Sequence, residues 1–187
     1  MVKIALIIGS TRPGRNGPAV AQWVYEQAKK RGDAEFEIVD IADFHLPLLD
    51  EPLPASFGQY SQPHTKAWAK KIEDFDGFIF ITPEYNHSTS GALKNALDYL
   101  AAEWHNKAAG FVSYGSMSGS RAVEQLRPIM AELMMADVRQ QVAFSLFTDF
   151  EYFSHFKPDS RHEEEAEVLF DQVLAWAEAL KHVREKK

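Results

Sequence analysis

The sequence contains no cysteine among its 187 residues. A disulfide framework, a thiolate nucleophile and a cysteine-ligated zinc or iron–sulfur centre are therefore all excluded. Any redox chemistry has to come from a bound cofactor. The histidines show no metal-ligand spacing with one another, and we predict no metal site.

The sequence also lacks a long apolar run and an excess of positive charge. No stretch approaches the roughly 20 apolar residues that cross a bilayer. The apolar N-terminal stretch ends at Gly9, too early for a secretory signal. The formal net charge is −7, which disfavours a general role on nucleic acid or an anionic membrane. We therefore expect a cytoplasmic protein that binds neither.

The sequence does contain a regular alternation of apolar runs and amphipathic patterns. Its length fits one domain, residues 1–187. Short, nearly continuous apolar runs predict buried strands at 3–8, 36–40, 77–82, 108–113 and 138–144. Periodic apolar positions predict helices at 18–31, 62–75, 90–103, 122–135 and about 163–183. The apolar positions predicted for the last helix are Val168, Leu169, Val173, Leu174 and Trp176.

This alternation predicts an α/β domain with a five-stranded parallel sheet and helices on both faces. The expected strand order is 2-1-3-4-5, whose switch point lies between the first and third strands. Ligands of such sheets bind at the carboxyl ends of the strands near the switch point. The loops after strands 1, 3 and 4 are therefore the candidates for function.

The loop after the first strand, residues 9–17, is longer than the usual 2–6 residues of such connections. It leads into a helix N-terminus, whose unpaired N–H groups suit a phosphate. Candidate phosphate ligands in it are Ser10, Thr11, Arg12, Arg15 and Asn16. The alternative is an ordinary polar turn with two solvated arginines.

The type of phosphate follows from what this loop lacks. Gly9 and Gly14 have P-loop spacing, but Arg15 and Asn16 stand where a P-loop has lysine and serine or threonine. The glycine pattern of a dinucleotide fold is also missing. Two arginines with several neutral donors suit a terminal phosphate monoester.

The other two loops suit a planar ligand. Residues 83–86, Pro-Glu-Tyr-Asn, supply a flat face and backbone N–H groups, as a flavin ring requires. The alternative is a helix cap at Ser88 or Thr89 with Tyr85 in the core. Residues 113–121 are rich in glycine and serine, which allows close backbone approach but also fits a flexible turn.

Several segments match a known family in chain order. They are Gly-Ser-x-Arg-x-x-x-Asn at 9–16, Leu-Pro-Leu-Leu-Asp-Glu at 46–51, Pro-Glu-Tyr-Asn at 83–86, Ser-Gly-Ala-Leu-Lys-Asn-Ala-Leu-Asp at 90–98, Ser-Tyr-Gly…Gly-x-Arg-Ala at 113–122 and Gln-Leu-Arg at 125–127. Over roughly residues 1–145, the chain resembles the NADPH-dependent FMN reductase family of flavodoxin-like proteins.

This resemblance implies a flavodoxin-like, FMN-dependent oxidoreductase that takes hydride from NADPH or NADH. Acceptors in the family include quinones, free flavins, azo compounds and metal oxyanions, and the usual assembly is a homodimer or homotetramer. The resemblance implies a phosphate site formed by Ser10, Arg12, Arg15, Asn16 and Gly17. It implies an isoalloxazine site formed by Pro83, Glu84, Tyr85 and Asn86, with Ser113, Tyr114 and Gly115 on the other flank. We predict no catalytic side chain, because the cofactor performs the chemistry.

Two features depart from the family pattern. Arg15 occupies a position where the family often has serine or threonine, and the aromatic segment 145–156 matches nothing in it. That segment either packs under the last helix or places Phe150, Tyr152 or Phe153 over a flavin.

Two other functional classes stay open on the sequence. One is an FMN electron carrier that acts with protein partners. Arg12 and Arg15 argue against it, because flavodoxins usually hold the phosphate with hydroxyl groups and glycines. The other is a non-redox interaction domain that has lost the cofactor, since a fold alone does not determine function.

Overall fold

Five parallel strands form one sheet in the order β2-β1-β3-β4-β5, which confirms the predicted topology. The structure is a computed structural model that describes residues 1–186. The strands are β1 (Lys3–Ile8), β2 (Glu35–Asp40), β3 (Gly77–Pro83), β4 (Ala108–Gly115) and β5 (Ala136–Ser145). The central strands β3 and β4 are buried along their whole length, as their continuous apolar runs require.

Five helices cover the two faces of the sheet. They are α1 (Gly17–Lys29), α2 (Pro63–Glu73), α3 (Gly91–Asp98), α4 (Ser120–Glu132) and α5 (Arg161–Glu185). Side chains of α1 and α5 share one apolar core with the sheet, and those of α2, α3 and α4 share the other. Successive side chains of β3 point to opposite faces of the sheet and so contribute to both cores. Ile79 and Ile81 pack in the first core, whereas Phe78 and Phe80 pack in the second.

Two helix predictions need correction. The predicted helix at 90–103 ends at Asp98, and the chain continues in turns at residues 102–106, where the indole N–H of Trp104 donates to the Leu97 carbonyl at 3.2 Å. In α5, Val168 and Trp176 are 39% and 50% exposed. The buried face of α5 follows a spacing of three and four residues that excludes both positions.

A small hairpin that the sequence did not predict lies between β5 and α5. Its strands β6 (Phe150–Glu151) and β7 (His155–Phe156) pair antiparallel. Within residues 1–186, none of the helices combines the length and the apolar character that crossing a membrane requires.

Candidate functional site

The three loops singled out by the predicted topology meet in one cleft of about 240 Å³ at the carboxyl edge of the sheet. Its lining residues are Arg12, Arg15, Asn16, Pro83, Glu84, Tyr85, Tyr114, Gly115, Leu146 and Phe153. The other predicted site residues, Ser10, Gly17, Asn86 and Ser113, lie close to these lining residues in the chain. The loops therefore form one site, as the parallel topology requires.

The loop between β1 and α1 begins against the neighbouring strand. The Gly9 N–H donates to the Ile81 carbonyl at 2.8 Å. A Cβ on Gly9 would lie 2.8 Å from Leu93 Cδ2, so only glycine fits there. The loop ends at Gly17, the first residue of α1, where an added Cβ would lie 3.2 Å from the Tyr114 hydroxyl.

The two arginines of this loop have different surroundings. Arg15 forms a bidentate ion pair with Asp40 at the end of β2, with Nη1 at 2.8 Å from Oδ1, and it also donates to the Ser10 carbonyl. Arg12 is exposed and its guanidinium stands 5.7 Å from the centre of the Tyr85 ring. Arg15 thus anchors the loop, whereas Arg12 offers its charge to the cleft.

The second loop makes a tight turn. Tyr85 and Ser88 exchange two backbone hydrogen bonds of 2.9 and 3.2 Å around Asn86 and His87, which both have positive φ. The residue that caps α3 is Ser90, whose hydroxyl accepts from the Leu93 N–H at 3.0 Å. The predicted alternative, a cap at Ser88 or Thr89 with Tyr85 in the core, is therefore wrong.

Tyr85 joins the second loop to the first. It is half-buried, lines the cleft, and its hydroxyl lies 2.9 Å from the hydroxyl of Ser10. Ser10 is itself fully buried beneath the loop. The Tyr85 ring is therefore held as one wall of the cleft.

The third loop is tied to the second by Glu84. The Glu84 carboxylate, only 4% exposed, forms an ion pair with Arg121, and the Glu84 N–H donates to the Tyr114 carbonyl at 3.1 Å. A Cβ on Gly115 would lie 3.2 Å from Glu84 Cβ. The Ser113 hydroxyl donates to the Ser118 carbonyl at 2.7 Å. Glu84 and Ser113 therefore brace the loops, and Arg121 is a bracing residue that we did not predict.

Tyr114 contributes an unsatisfied polar group. The residue is 5% exposed, and its hydroxyl makes no hydrogen bond of normal geometry among residues 1–186, although the Gly17 N–H lies near it. Burial, followed by the nearby Tyr85, raises the pKa of this hydroxyl, so it remains a donor at neutral pH. A buried hydroxyl without a partner is costly, so this one is a candidate hydrogen-bond donor to a ligand in the cleft.

The aromatic residues after β5 have three different surroundings. Phe150 is buried in the core, Tyr152 is 91% exposed, and Phe153 lines the cleft. Leu146 lines the cleft too and had no signal in the sequence beyond its position after β5. The part of the chain from 1 to 186 contains no group of three or more metal-binding side chains.

Comparison with known proteins assigns the chain to a family. The family model described as NADPH-dependent FMN reductase matches residues 2–149. The NAD(P)H-dependent FMN reductase ntnL of Nectria sp is 38% identical, over 96% of this chain and 89% of the relative. The NAD(P)H-dependent FMN reductase C4B3.06c of Schizosaccharomyces pombe is 42% identical, over 79% and 74%.

Solved structures agree on the fold. FerB, a flavoenzyme NAD(P)H:(acceptor) oxidoreductase from Paracoccus denitrificans, has a TM-score of 0.72 at 20% identity and covers 96% of this chain and 98% of its own. The NADH:FMN oxidoreductase EMOB in its apo form has a TM-score of 0.68 at 22% identity, over 90% and 88%. At these identities the likeness concerns the fold alone.

Proposed function

The chain belongs to the NADPH-dependent FMN reductase family, and we propose that it passes electrons from NADPH or NADH through FMN to a small acceptor. The observation that supports this use of the cleft most strongly is the buried Tyr114 hydroxyl beside the N-terminus of α1. It lines the same cleft as Arg12 and Asn16.

The residues of the cleft fit FMN. A phosphate monoester requires donors and positive charge, which Arg12 and the start of α1 supply. We add the Tyr114 hydroxyl to these donors, although the family resemblance assigns Tyr114 to the flank of the isoalloxazine, because this hydroxyl lies beside Gly17 at the start of α1. Arg15 then acts through the position of the loop, because its guanidinium is already paired with Asp40. The Tyr85 ring and Pro83 provide apolar surface for the ring system in the same cleft.

The protein residues bind and orient, and none acts as a nucleophile or a general acid. Bound FMN supplies the hydride chemistry. The N-terminal end of α3, which follows the loop at 83–86, favours negative charge near the ring. The Glu84–Arg121 ion pair keeps the second and third loops at a constant separation.

The acceptor class is proposed from the relatives. A Burkholderia relative named 2-hydroxy-1,4-benzoquinone reductase is 32% identical over 71% of this chain. A Staphylococcus aureus relative named FMN-dependent NADPH-azoreductase is 32% identical over 94% of it. We expect quinones and azo compounds as acceptors here, with free flavins and metal oxyanions as further members of the class.

We also propose a cytoplasmic homodimer or homotetramer. An exposed apolar side chain on a well-anchored loop supports self-association. The loop is anchored because the Leu49 N–H donates to Asn95 Oδ1 at 3.0 Å and the Tyr99 hydroxyl donates to the Pro47 carbonyl at 3.1 Å. Leu48 on this loop is nonetheless 85% exposed. Sedimentation equilibrium tests this, and a monomer at micromolar concentration contradicts it.

The test of the proposed activity is steady-state oxidation of NADPH by a benzoquinone and by an azo dye, with and without added FMN. We expect turnover that requires FMN and saturates at one FMN per chain. A protein that binds FMN but shows no turnover with either acceptor is better described as an electron carrier. A protein that refuses FMN would fit the non-redox alternative.

A further inference from the structure

The hairpin between β5 and α5 is fastened at its base by one buried carboxylate. Asp149 is fully buried and accepts hydrogen bonds from the Ser145 N–H at 2.9 Å and the Asp159 N–H at 3.2 Å, on the two sides of the hairpin. Its carboxylate also lies 3.0 Å from Nε2 of the buried His162. The two ends of the connection are thereby held together and attached to α5.

His162 is bonded on both sides of its ring. Its Nδ1 lies 2.7 Å from the Glu165 carboxylate, while Nε2 faces Asp149. An imidazole with an acceptor at each nitrogen has no freedom to rotate. The base of the hairpin is therefore set by the position of α5.

Aromatic packing fixes the two short strands of the hairpin. The rings of Phe150 and Phe156 lie 4.9 Å apart, and Phe156 is also 4.9 Å from Phe144 of β5. Trp23 of α1 packs edge-on against Phe156 at 6.3 Å. Such contacts join the hairpin to both α1 and the sheet.

The tip of the hairpin is strained and faces the cleft. Tyr152 and Phe153 have φ of 53° and 59°, a region that bulky residues rarely adopt. The Phe153 carbonyl accepts from Asn16 Nδ2 at 2.9 Å, and the Phe153 residue lines the cleft beside Arg12. Large residues are thus kept in a turn that glycine or asparagine would form more easily.

We propose that this tip closes the cleft at the phosphate loop and selects flavins that end in a single phosphate. FMN ends at its phosphate, whereas FAD continues through a second phosphate to an adenosine and needs an open path beyond the first. Phe153 lies where this path would run, and its carbonyl accepts a hydrogen bond from Asn16, the residue that precedes α1. The inference rests on the proposed FMN site and adds the segment that excludes FAD.

The test compares the dissociation constants of FMN and FAD, measured by quenching of flavin fluorescence, for the wild type, Phe153→Ala and Tyr152→Ala. Tyr152 is a matched control: it has the same turn conformation but is 91% exposed and lies outside the cleft lining. We expect the wild type to prefer FMN by at least about a hundredfold. Phe153→Ala should reduce this preference by about tenfold or more by tightening FAD, and Tyr152→Ala should leave it unchanged.

Three results would overturn the proposal: equal binding of both flavins by the wild type, an unchanged preference in Phe153→Ala, or an equal change in Tyr152→Ala. A wild type that binds neither flavin contradicts the proposed function itself, so the two failures are distinguishable. Phe153 is 58% exposed, so its truncation leaves the core intact.

The base of the hairpin is tested by a double-mutant cycle. His162 acts as a positioning residue, so His162→Gln should reduce the preference for FMN in the wild-type background and have no further effect in Phe153→Ala. A purely structural role predicts a lower melting temperature with an unchanged preference. That outcome would contradict the positioning role of His162 and leave the proposal resting on Phe153.

Discussion

Replacement of Tyr114 by phenylalanine is expected to change stability and cofactor affinity in opposite directions. The hydroxyl of Tyr114 is buried without a partner among residues 1–186, so removing it relieves an unpaired polar group. Such a group costs about 1–3 kcal/mol, and we expect the free energy of unfolding without flavin to rise by about 1 kcal/mol. For a domain of this size, that corresponds to about 2–4 °C in Tm.

The same substitution should weaken FMN. If the hydroxyl donates to the phosphate, its loss removes a hydrogen bond to a charged group, which contributes about 1.5–3 kcal/mol. The dissociation constant should therefore rise by at least about tenfold. Urea unfolding of the flavin-free protein and fluorescence titration with FMN measure the two effects separately.

Tyr99 provides the control. It is also a buried residue, but its hydroxyl has acceptors within reach, Asp50 Oδ1 at 2.9 Å and the Pro47 carbonyl oxygen at 3.1 Å. Tyr99→Phe should therefore lower stability by about 1 kcal/mol. An unchanged FMN affinity in Tyr114→Phe, or a loss of stability equal to that of Tyr99→Phe, would refute the assignment of the Tyr114 hydroxyl to the ligand.

Three further substitutions have defined outcomes. Arg12→Ala should weaken FMN by about 1.5–3 kcal/mol with little change in Tm, because the side chain is exposed; an unchanged titration curve contradicts this. Arg15→Ala should lower the free energy of unfolding by about 2 kcal/mol, because it leaves the partly buried Asp40 unpaired, and urea unfolding would show no change if the pair were unimportant.

Burial opposes ionisation of Asp149, but hydrogen bonds from Ser145 and other donors outweigh it and hold its pKa below the usual value. Its contribution is therefore present at neutral pH and lost as pH falls below about 4, so the stability difference between wild type and Asp149→Asn should shrink between about pH 7 and about pH 3.

The sheet was predictable because its strands are apolar runs with clear ends. The bounds of β1 match the prediction residue for residue, and the other strands differ from it by a few residues at most. Strand order then followed from the alternation with helices. The predicted helix at 90–103 was too long because Leu100 continues the apolar spacing after the backbone has left the helix.

The cleft was predictable as a meeting place of loops, since parallel strands bring their carboxyl ends to one edge. The ion pairs that hold these loops in place were not predictable. The pairing of Arg15 with Asp40 and of Glu84 with Arg121 joins residues far apart in the chain, and no local pattern signals either pair. The hairpin also escaped prediction, because its strands of two residues are too short to produce a period.

The most direct test of the central claim is the visible spectrum of the FMN-saturated, desalted protein, recorded anaerobically after addition of NADPH. We predict a flavin spectrum before addition and its bleaching within seconds afterwards. A flavin spectrum that persists in the presence of NADPH would contradict the claim that this protein takes hydride from reduced nicotinamide.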